Sequence, residues 1–287
     1  MRTKDLIAKR LRREKAQIRK QQNKKIESQK ELDAKKEQEY VLPEGFSEEV
    51  KKEVRKLPRH DIPQAEIMRR RDMRDILTFT IDPDEAKDFD DALSFQELES
   101  GNYQIGIHIA DVTHYVAEGT ALDEEAYHRG TSIYLVDKVI PMLPERLSNE
   151  LCSLRPNEDK LCMSVILEMD NEAKVIRHKI CRTIICSDYR LTYRQAQDIL
   201  EEKTCDAIRG NELKVSHAIR NLNQLAQILR TNRFRHGAIN FEAPEVHFRL
   251  NEQGEPVEIF FHKSYDSNHL IEEFMLLANR IVATEIG

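Results

Sequence analysis

The sequence contains no tryptophan, and glycine is sparse, with nine residues among 287 and no glycine-rich loop of the kind that cradles phosphates. No apolar run approaches the roughly 18 residues that a membrane-spanning helix needs. The chain opens with charged residues at Arg2, Lys4 and Asp5, where a secretory signal requires an apolar region of roughly 7 to 15 residues. We therefore expect no membrane partner and a cytoplasmic location.

Cysteine is also scarce. The five cysteines are odd in number and include no C-x-x-C pair, so the sequence indicates neither a disulfide framework nor a zinc site. We predict that they are reduced packing residues: Cys152, Cys162, Cys181, Cys186 and Cys205.

Charge is unevenly distributed along the chain. Residues 1–40 carry 14 basic and 7 acidic side chains, whereas residues 41–287 carry 31 basic and 44 acidic ones. The scattered apolar positions in residues 1–40 predict an exposed arm that is helical or disordered. This arm has either no specific role or attracts RNA phosphates, and the sequence leaves both open. The acidic remainder restricts any RNA contact to a local site.

Apolar periodicity divides the remaining chain into a helical lead-in over residues 41–75 and a β-rich domain over residues 76–287. The predicted strands are Ile76–Ile81, Asp91–Phe95, Tyr103–Ile109, Ser164–Met169 and Ala173–Ser187. The predicted helices are Leu122–Gly130, Thr192–Glu202, Leu213–Arg233 and a segment from Ile271 to Val282. The expected fold class is α+β, with a mixed, mainly antiparallel sheet packed with helices.

An acidic segment between two predicted strands is the most informative part of the sequence. Residues 81–92 read I-D-P-D-E-A-K-D-F-D-D-A. Clustered like charges are tolerated where cations neutralise them, and ligands that are all oxygen suit Mg²⁺ or Mn²⁺. An EF-hand calcium loop is excluded because Ala86 and Lys87 occupy its critical positions. A solvated acidic loop is the alternative that these residues alone leave open.

Four aspartates in this segment are spaced as D-x5-D-x-D-D, namely Asp82, Asp88, Asp90 and Asp91. The pattern resembles the four-aspartate signature of the RNB catalytic domain that ribonucleases II and R share. Other blocks resemble that family in the same order, including G-I-H-I-A-D-V at 106–112, R-G-T-S-I-Y-L at 129–135 and L-S-N-E-L-C-S-L at 147–154. The resemblance covers residues 41–287 and is closer to ribonuclease R.

The resemblance implies a magnesium-dependent enzyme, with Mn²⁺ as the alternative ion. It implies that Asp82 and Asp91 bind the metal and that Asp88 completes or shares the site. Asp90 resembles the aspartate whose loss abolishes cleavage while RNA binding persists, which implies that it positions the attacking water.

The resemblance also implies RNA contacts outside the acidic segment. Tyr134 resembles an aromatic that packs on the 3′-terminal nucleotide, and Phe241 resembles the residue that closes the far end of a short stack of bases. Tyr193 and Glu272 match positions that hold the RNA end and distinguish ribose from deoxyribose. Without the resemblance, Tyr134 and Phe241 are interpreted as core residues, Tyr193 as helix-start packing and Glu272 as an exposed helix flank.

His108 lies among alternating isoleucines in the predicted strand Tyr103–Ile109. A general-base role is one interpretation. The position favours a packed, hydrogen-bonded structural histidine.

The resemblance to the RNB family implies a hydrolytic exoribonuclease that degrades single-stranded RNA from its 3′ end to nucleoside 5′-monophosphates by metal-activated water. DNA is not the expected substrate. Family members carry barrel domains on both sides of this region, and a catalytic arginine beyond it, so the catalytic domain is expected to be truncated. Two alternatives stay open: an RNA-binding fragment without turnover, and a metal phosphoesterase acting on small nucleotides.

Overall fold

The structure is a computed structural model that describes residues 45–58, 62–135, 138–239, 246–251, 256–261 and 264–287, with residues 20, 24, 25, 27, 28 and 43. The expected basic arm, residues 1–40, falls almost wholly outside the described residues. Its helical or disordered character therefore stays a prediction.

A seven-stranded sheet organises the fold. The strands of the described residues are β1 Arg71–Asp72, β2 Thr78–Asp82, β3 Asp91–Glu97, β4 Tyr103–Ala110, β5 Ile133–Tyr134, β6 Val139–Ile140, β7 Asp159–Met169, β8 Val175–Cys186, β9 Tyr189–Thr192, β10 Val246–Leu250 and β11 Pro256–Phe261. The large sheet has the order β1-β8-β7-β4-β3-β2-β9. Its inner pairs are antiparallel, and the edge pairs β1 with β8 and β2 with β9 are parallel. The expected α+β fold with a mainly antiparallel sheet is confirmed.

The hydrophobic core lies between this sheet and three helices. The α-helices of the described residues are α1 Glu48–Lys56, α2 Gln64–Ile67, α3 Ala121–Arg129, α4 Tyr193–Leu200, α5 Glu212–Arg235 and α6 Asp266–Ile286. Leu93, Ile105 and Ile107 from the sheet are fully buried in one cluster with Phe274 of α6. Helices α4 and α5 contribute Ile199 and other apolar residues to the same cluster, so burial of these faces fixes the helices on the sheet.

Several elements extend beyond their predicted bounds. Strand β7 begins at Asp159 rather than at Ser164, because its pairing with β8 continues as far as Asp159 opposite Cys186. This added stretch contains the buried Lys160, whose charge is compensated. Its amine pairs with Glu158 at 2.9 Å and donates to the carbonyl of Glu150. Likewise, α6 begins at Asp266, before the apolar pattern starts.

His108 occupies the opposite side of β4 from Ile105 and Ile107, and it is fully buried. Its Nδ1 lies 2.7 Å from Oγ of Ser164, and its Nε2 lies 2.9 Å from Oγ of Ser94. Burial lowers the pKa of His108 to about 3. These contacts favour the structural interpretation over a general base, because both ring nitrogens already have hydroxyl partners.

The chain forms two compact units. One comprises Met1–Ser47, Glu125–Met142 and Glu242–Lys263, and its described part contains the hairpins β5–β6 and β10–β11. The other comprises Glu48–Glu124, Leu143–Phe241 and Ser264–Gly287, and it contains the seven-stranded sheet. The predicted division at residues 40 and 75 stays a prediction. No helix among the described residues is both long and apolar enough to cross a bilayer.

Candidate active site

The four predicted aspartates lie at one end of the large sheet, in what we call the aspartate loop, residues 82–91. Asp82 is the last residue of β2, and Asp91 is the first residue of β3. Since β2 and β3 are antiparallel neighbours, these two residues lie at the same end of the sheet. Asp88 and Asp90 lie in the connection between them.

Asp82 has a carboxyl whose pKa is strongly raised. It is buried, and burial is the main cause that raises the pKa of its carboxyl to about 7, with further increases from the charges of Asp91 and Asp90. Opposing this, the hydroxyl of Thr80 donates a hydrogen bond to the carboxyl, and the charge of Arg190 favours its ionised form. The site therefore holds a carboxyl whose negative charge is poorly compensated by the protein itself.

Asp91 and Asp90 extend this repulsion along the loop. Burial, followed by the charge of Asp90, raises the pKa of Asp91 to about 6. The pKa of Asp90 is also raised, first by desolvation of its carboxyl and then by the charge of Asp88. Because Asp90 reaches solvent, water screens part of this effect. Asp82, Asp90 and Asp91 are thus close enough for their charges to interact, and Asp88 acts on Asp90.

Arg190 in β9 supports the start of the loop. Its Nη2 donates to the carbonyl oxygens of Pro83 at 2.5 Å and of Asp84 at 3.1 Å. The guanidinium also lies over the ring of Phe89, 5.3 Å from its centroid, and its Nε is buried without a hydrogen-bond partner among the described residues. Sequence reasoning missed Arg190 because β9 is too short to give a periodic pattern and no motif contains it.

The donor chemistry of the loop fits a hard divalent cation. Only carboxylate oxygens are offered, and their mutual repulsion would be relieved by positive charge. Among the described residues, no group of three or more histidine, cysteine, aspartate or glutamate side chains is arranged around one metal position. Magnesium binds through one or two carboxylates and fills its shell with water and phosphate oxygens, so a site with fewer than three protein carboxylates is compatible with this ion. The assignment of all four aspartates as ligands stays a prediction.

Tyr193 lies beside the aspartate loop. It is the first residue of α4, whose start is fixed by a reciprocal cap: the amide of Gln195 donates to Oγ1 of Thr192, and the amide of Thr192 donates to Oε1 of Gln195. Burial, followed by the negative charges of Asp91 and Asp82, raises the pKa of Tyr193 to about 12. Its side chain also packs against the core. Tyr193 is therefore a packing residue at the start of the helix that also lies near the aspartate loop.

Glu272 lies in a charged cluster between α5 and α6. Its carboxylate lies 3.0 Å from Arg233, 3.4 Å from Arg230 and 3.3 Å from Nδ1 of His269. The neighbouring Glu273 is buried and pairs with Arg233 at 2.5 Å. Glu272 therefore is a partly exposed helix flank with basic partners, and its predicted RNA contact stays a prediction.

The two predicted stacking aromatics differ in what the structure describes. Tyr134 lies in β5 with 68% of its surface exposed, so it is not a core residue of this chain. Phe241 lies outside the described residues.

The family of the chain follows from its similarity to known proteins. The RNB domain matches residues 70–286. The chain belongs to the RNB domain family. Ribonuclease R of Thermotoga maritima is 45% identical to this RNB chain over 242 residues, covering 84% of this chain and 34% of that protein. Ribonuclease R 1 of Lactococcus lactis is 43% identical over 239 residues, covering 83% of this chain and 29% of that protein.

Solved structures support the same family. RNase R of Mycoplasma genitalium, in complex with ribose methylated single-stranded RNA, matches with a TM-score of 0.77 and 29% identity, covering 86% of this chain and 38% of that chain. The resemblance to ribonuclease R and the RNB-type fold are confirmed. The RNB chain spans about a third of the length of the curated relatives it matches.

Proposed function

We propose that this RNB chain is the catalytic part of a hydrolytic exoribonuclease that degrades single-stranded RNA from its 3′ end to nucleoside 5′-monophosphates. The observation that carries the proposal is the placement of Asp82, Asp90 and Asp91 at one end of the sheet, where desolvation and then repulsion from neighbouring aspartates raise the pKa of each. The names of its relatives, ribonuclease R, and the RNA bound to the Mycoplasma protein support the same activity.

We propose Mg²⁺, with Mn²⁺ as a substitute, as the cofactor of this site. Asp82 and Asp91 would hold the ion and Asp88 would complete or share its binding. When bound, the ion compensates the carboxylates and draws charge from the phosphate oxygens. Asp90, which reaches solvent, would hold the attacking water by a hydrogen bond in line with the scissile phosphate.

The remaining predicted residues would bind the RNA terminus. Tyr134 would stack on a base, together with Phe241, and stacking carries little base preference. Tyr193, beside the loop, and Glu272 would contact the ribose, whose 2′-hydroxyl both donates and accepts hydrogen bonds. A cytoplasmic location and a preference for RNA over DNA complete the proposal.

Binding of RNA without turnover is the second candidate. One observation favours it: the described residues bring no three metal-binding side chains around one point.

The discriminating experiment incubates the chain with 5′-labelled single-stranded RNA and Mg²⁺, with EDTA and DNA of the same sequence as controls. A ladder of shortened RNA with released nucleoside 5′-monophosphates, absent in EDTA, supports the exoribonuclease. Retention of intact RNA supports the second candidate. Hydrolysis of small nucleotides with no effect on RNA would contradict both.

A further inference from the structure

The hydroxyl of Ser153 makes two hydrogen bonds to the backbone of the aspartate loop. Oγ donates to the carbonyl oxygen of Lys87 at 2.8 Å and accepts from the amide of Phe89 at 3.0 Å. Ser153 has no exposed surface, so water does not compete for these bonds. The two contacted residues flank Asp88, and one side chain therefore fixes the backbone on both sides of a predicted site residue.

The neighbouring main chain extends this support toward Asp90. The amide of Leu154 donates to the carbonyl oxygen of Phe89 at 2.8 Å, and the amide of Ala110 in β4 donates to the carbonyl oxygen of Asp90 at 2.9 Å. The loop backbone is thus held up to Asp90 by segments that lie far from it in sequence.

Ser153 is itself held rigidly. It lies between a π-helical turn, Arg146–Leu151, and β7. Leu147 and Leu154, on either side of it, are fully buried, and the amide of Cys152 donates to the carbonyl oxygen of Leu147 at 2.8 Å. Because the backbone around Ser153 is fixed by packing, its hydroxyl can restrain the backbone of the aspartate loop.

We propose that Ser153 is a positioning residue of the aspartate loop, which directs the carboxylates of Asp88 and Asp90 without touching substrate. Its catalytic consequence rests on the proposed function, whereas its effect on the loop does not. A hydroxyl has one donor and two lone pairs, so it bonds a carbonyl and an amide at once, whereas alanine does neither. Displacement of a site carboxylate by about 1 Å is enough to lower a rate by about 100-fold.

The first measurement does not depend on activity. Amide hydrogen exchange is followed by mass spectrometry in metal-free protein for Ser153→Ala, Ser153→Cys and the control Ser164→Ala. Ser164 is a buried serine that bonds His108 and Thr183 instead of the loop. We expect exchange in peptides covering residues 83–91 to rise about 10-fold in both Ser153 variants and to match the parent in Ser164→Ala. Cysteine nearly keeps the volume of serine but hydrogen-bonds weakly. Ser153→Cys therefore tests the role of the two hydrogen bonds even if the alanine variant does not fold.

The second measurement titrates Mn²⁺ alone and then follows RNA cleavage. We expect Ser153 variants to bind Mn²⁺ about 10- to 100-fold more weakly and to lose kcat with KM unchanged, while Ser164→Ala keeps both. Parental loop exchange in Ser153→Cys, or a loosened loop with parental Mn²⁺ affinity and kcat, overturns the inference. If the parent neither binds Mn²⁺ nor cleaves RNA, the proposed function is contradicted. Faster loop exchange in the Ser153 variants would then still show that Ser153 holds the loop in place.

Discussion

The hydroxyl of Thr80 donates a 2.5 Å hydrogen bond to Oδ2 of Asp82, two residues further along the same strand. Residues two apart in a strand share one face, and β2 is buried along its whole length. The carboxyl of Asp82, the first residue of the aspartate loop, is therefore oriented by its own strand. The hydrogen bond from Thr80 and the charge of Arg190 both favour the ionised carboxylate, but burial outweighs them. In the proposed function a cation supplies the remaining compensation.

Cation binding should stabilise the chain through Asp82. Saturation at about 100 times Kd adds about 2.7 kcal/mol to the free energy of unfolding, and we expect this gain with Mg²⁺ in the parent and its loss in Asp82→Asn. Asp84→Asn is the matched control, because Asp84 is exposed in the same loop. Calorimetric unfolding with Mg²⁺ and after EDTA treatment measures the effect. An equal Mg²⁺ gain in parent and Asp82→Asn would rule out this ligand assignment.

Asp90→Asn should remove RNA cleavage while sparing RNA binding. The change keeps the shape of the side chain and removes the charge that orients water, so we expect kcat to fall roughly 100-fold or more, with Kd for RNA unchanged. Glu85→Gln makes the same chemical change at an exposed position of the loop and should retain kcat. Single-turnover cleavage and fluorescence anisotropy separate the two effects. Parental cleavage by Asp90→Asn would exclude the role assigned to it.

Much of the fold is encoded in local patterns. Alternation of Ile105 and Ile107 predicts a half-buried strand, and the turn before Tyr103 predicts its hairpin partner; the structure pairs the two strands antiparallel, with Asp91 opposite Ile109. Ile109 shares this alternation but is 41% exposed, because it lies near the end of β4. Alternation in a strand predicts which face of the sheet a side chain lies on. It does not predict how far along the strand that face is buried.

The supports of the aspartate loop are not encoded locally. Ser153 and Arg190 act through hydrogen bonds to main-chain carbonyls and amides, and such acceptors and donors exist at every residue. Nothing in their own sequence neighbourhoods marks the loop as their partner. The acidic cluster is visible in the sequence because the four predicted aspartates all lie within residues 82–91. Their roles are implied by the family resemblance and stay a prediction.

The buried His108 should contribute a loss of stability in mild acid that a variant without this imidazole lacks. Its pKa is about 3 in the folded chain and ordinarily about 6.5 when unfolded, so only the unfolded chain takes up this proton between those values. One such group lowers the free energy of unfolding by about 1.4 kcal/mol per pH unit as pH falls below 6.5. Denaturant unfolding from pH 7 to pH 5 should show the parent losing about this much more stability per pH unit than His108→Gln, whereas exposed His128→Gln should match the parent. The raised pKa values of Asp82 and Asp91 act in the opposite direction, but equally in all three proteins, so the difference isolates His108. An unchanged slope in His108→Gln would refute the assignment.

Tyr134→Ala should weaken RNA binding without destabilising the fold. The residue is 68% exposed, so truncating its side chain removes little buried apolar surface from the folded chain. Loss of one base stack costs about 1 to 3 kcal/mol, which is roughly a 5- to 150-fold increase in Kd. Tyr134→Phe keeps an aromatic face and should bind RNA nearly as the parent does.

Tyr127 provides the matched control for this effect. It is a second exposed tyrosine in the same compact unit, with 84% of its surface accessible, and no RNA role is assigned to it. Anisotropy titrations with a labelled single-stranded RNA compare both alanine variants, and thermal unfolding verifies that each is folded. A base stacked on Tyr134 predicts weaker RNA binding for Tyr134→Ala and parental binding for Tyr127→Ala. Equal losses of affinity in the two variants would contradict the role assigned to Tyr134.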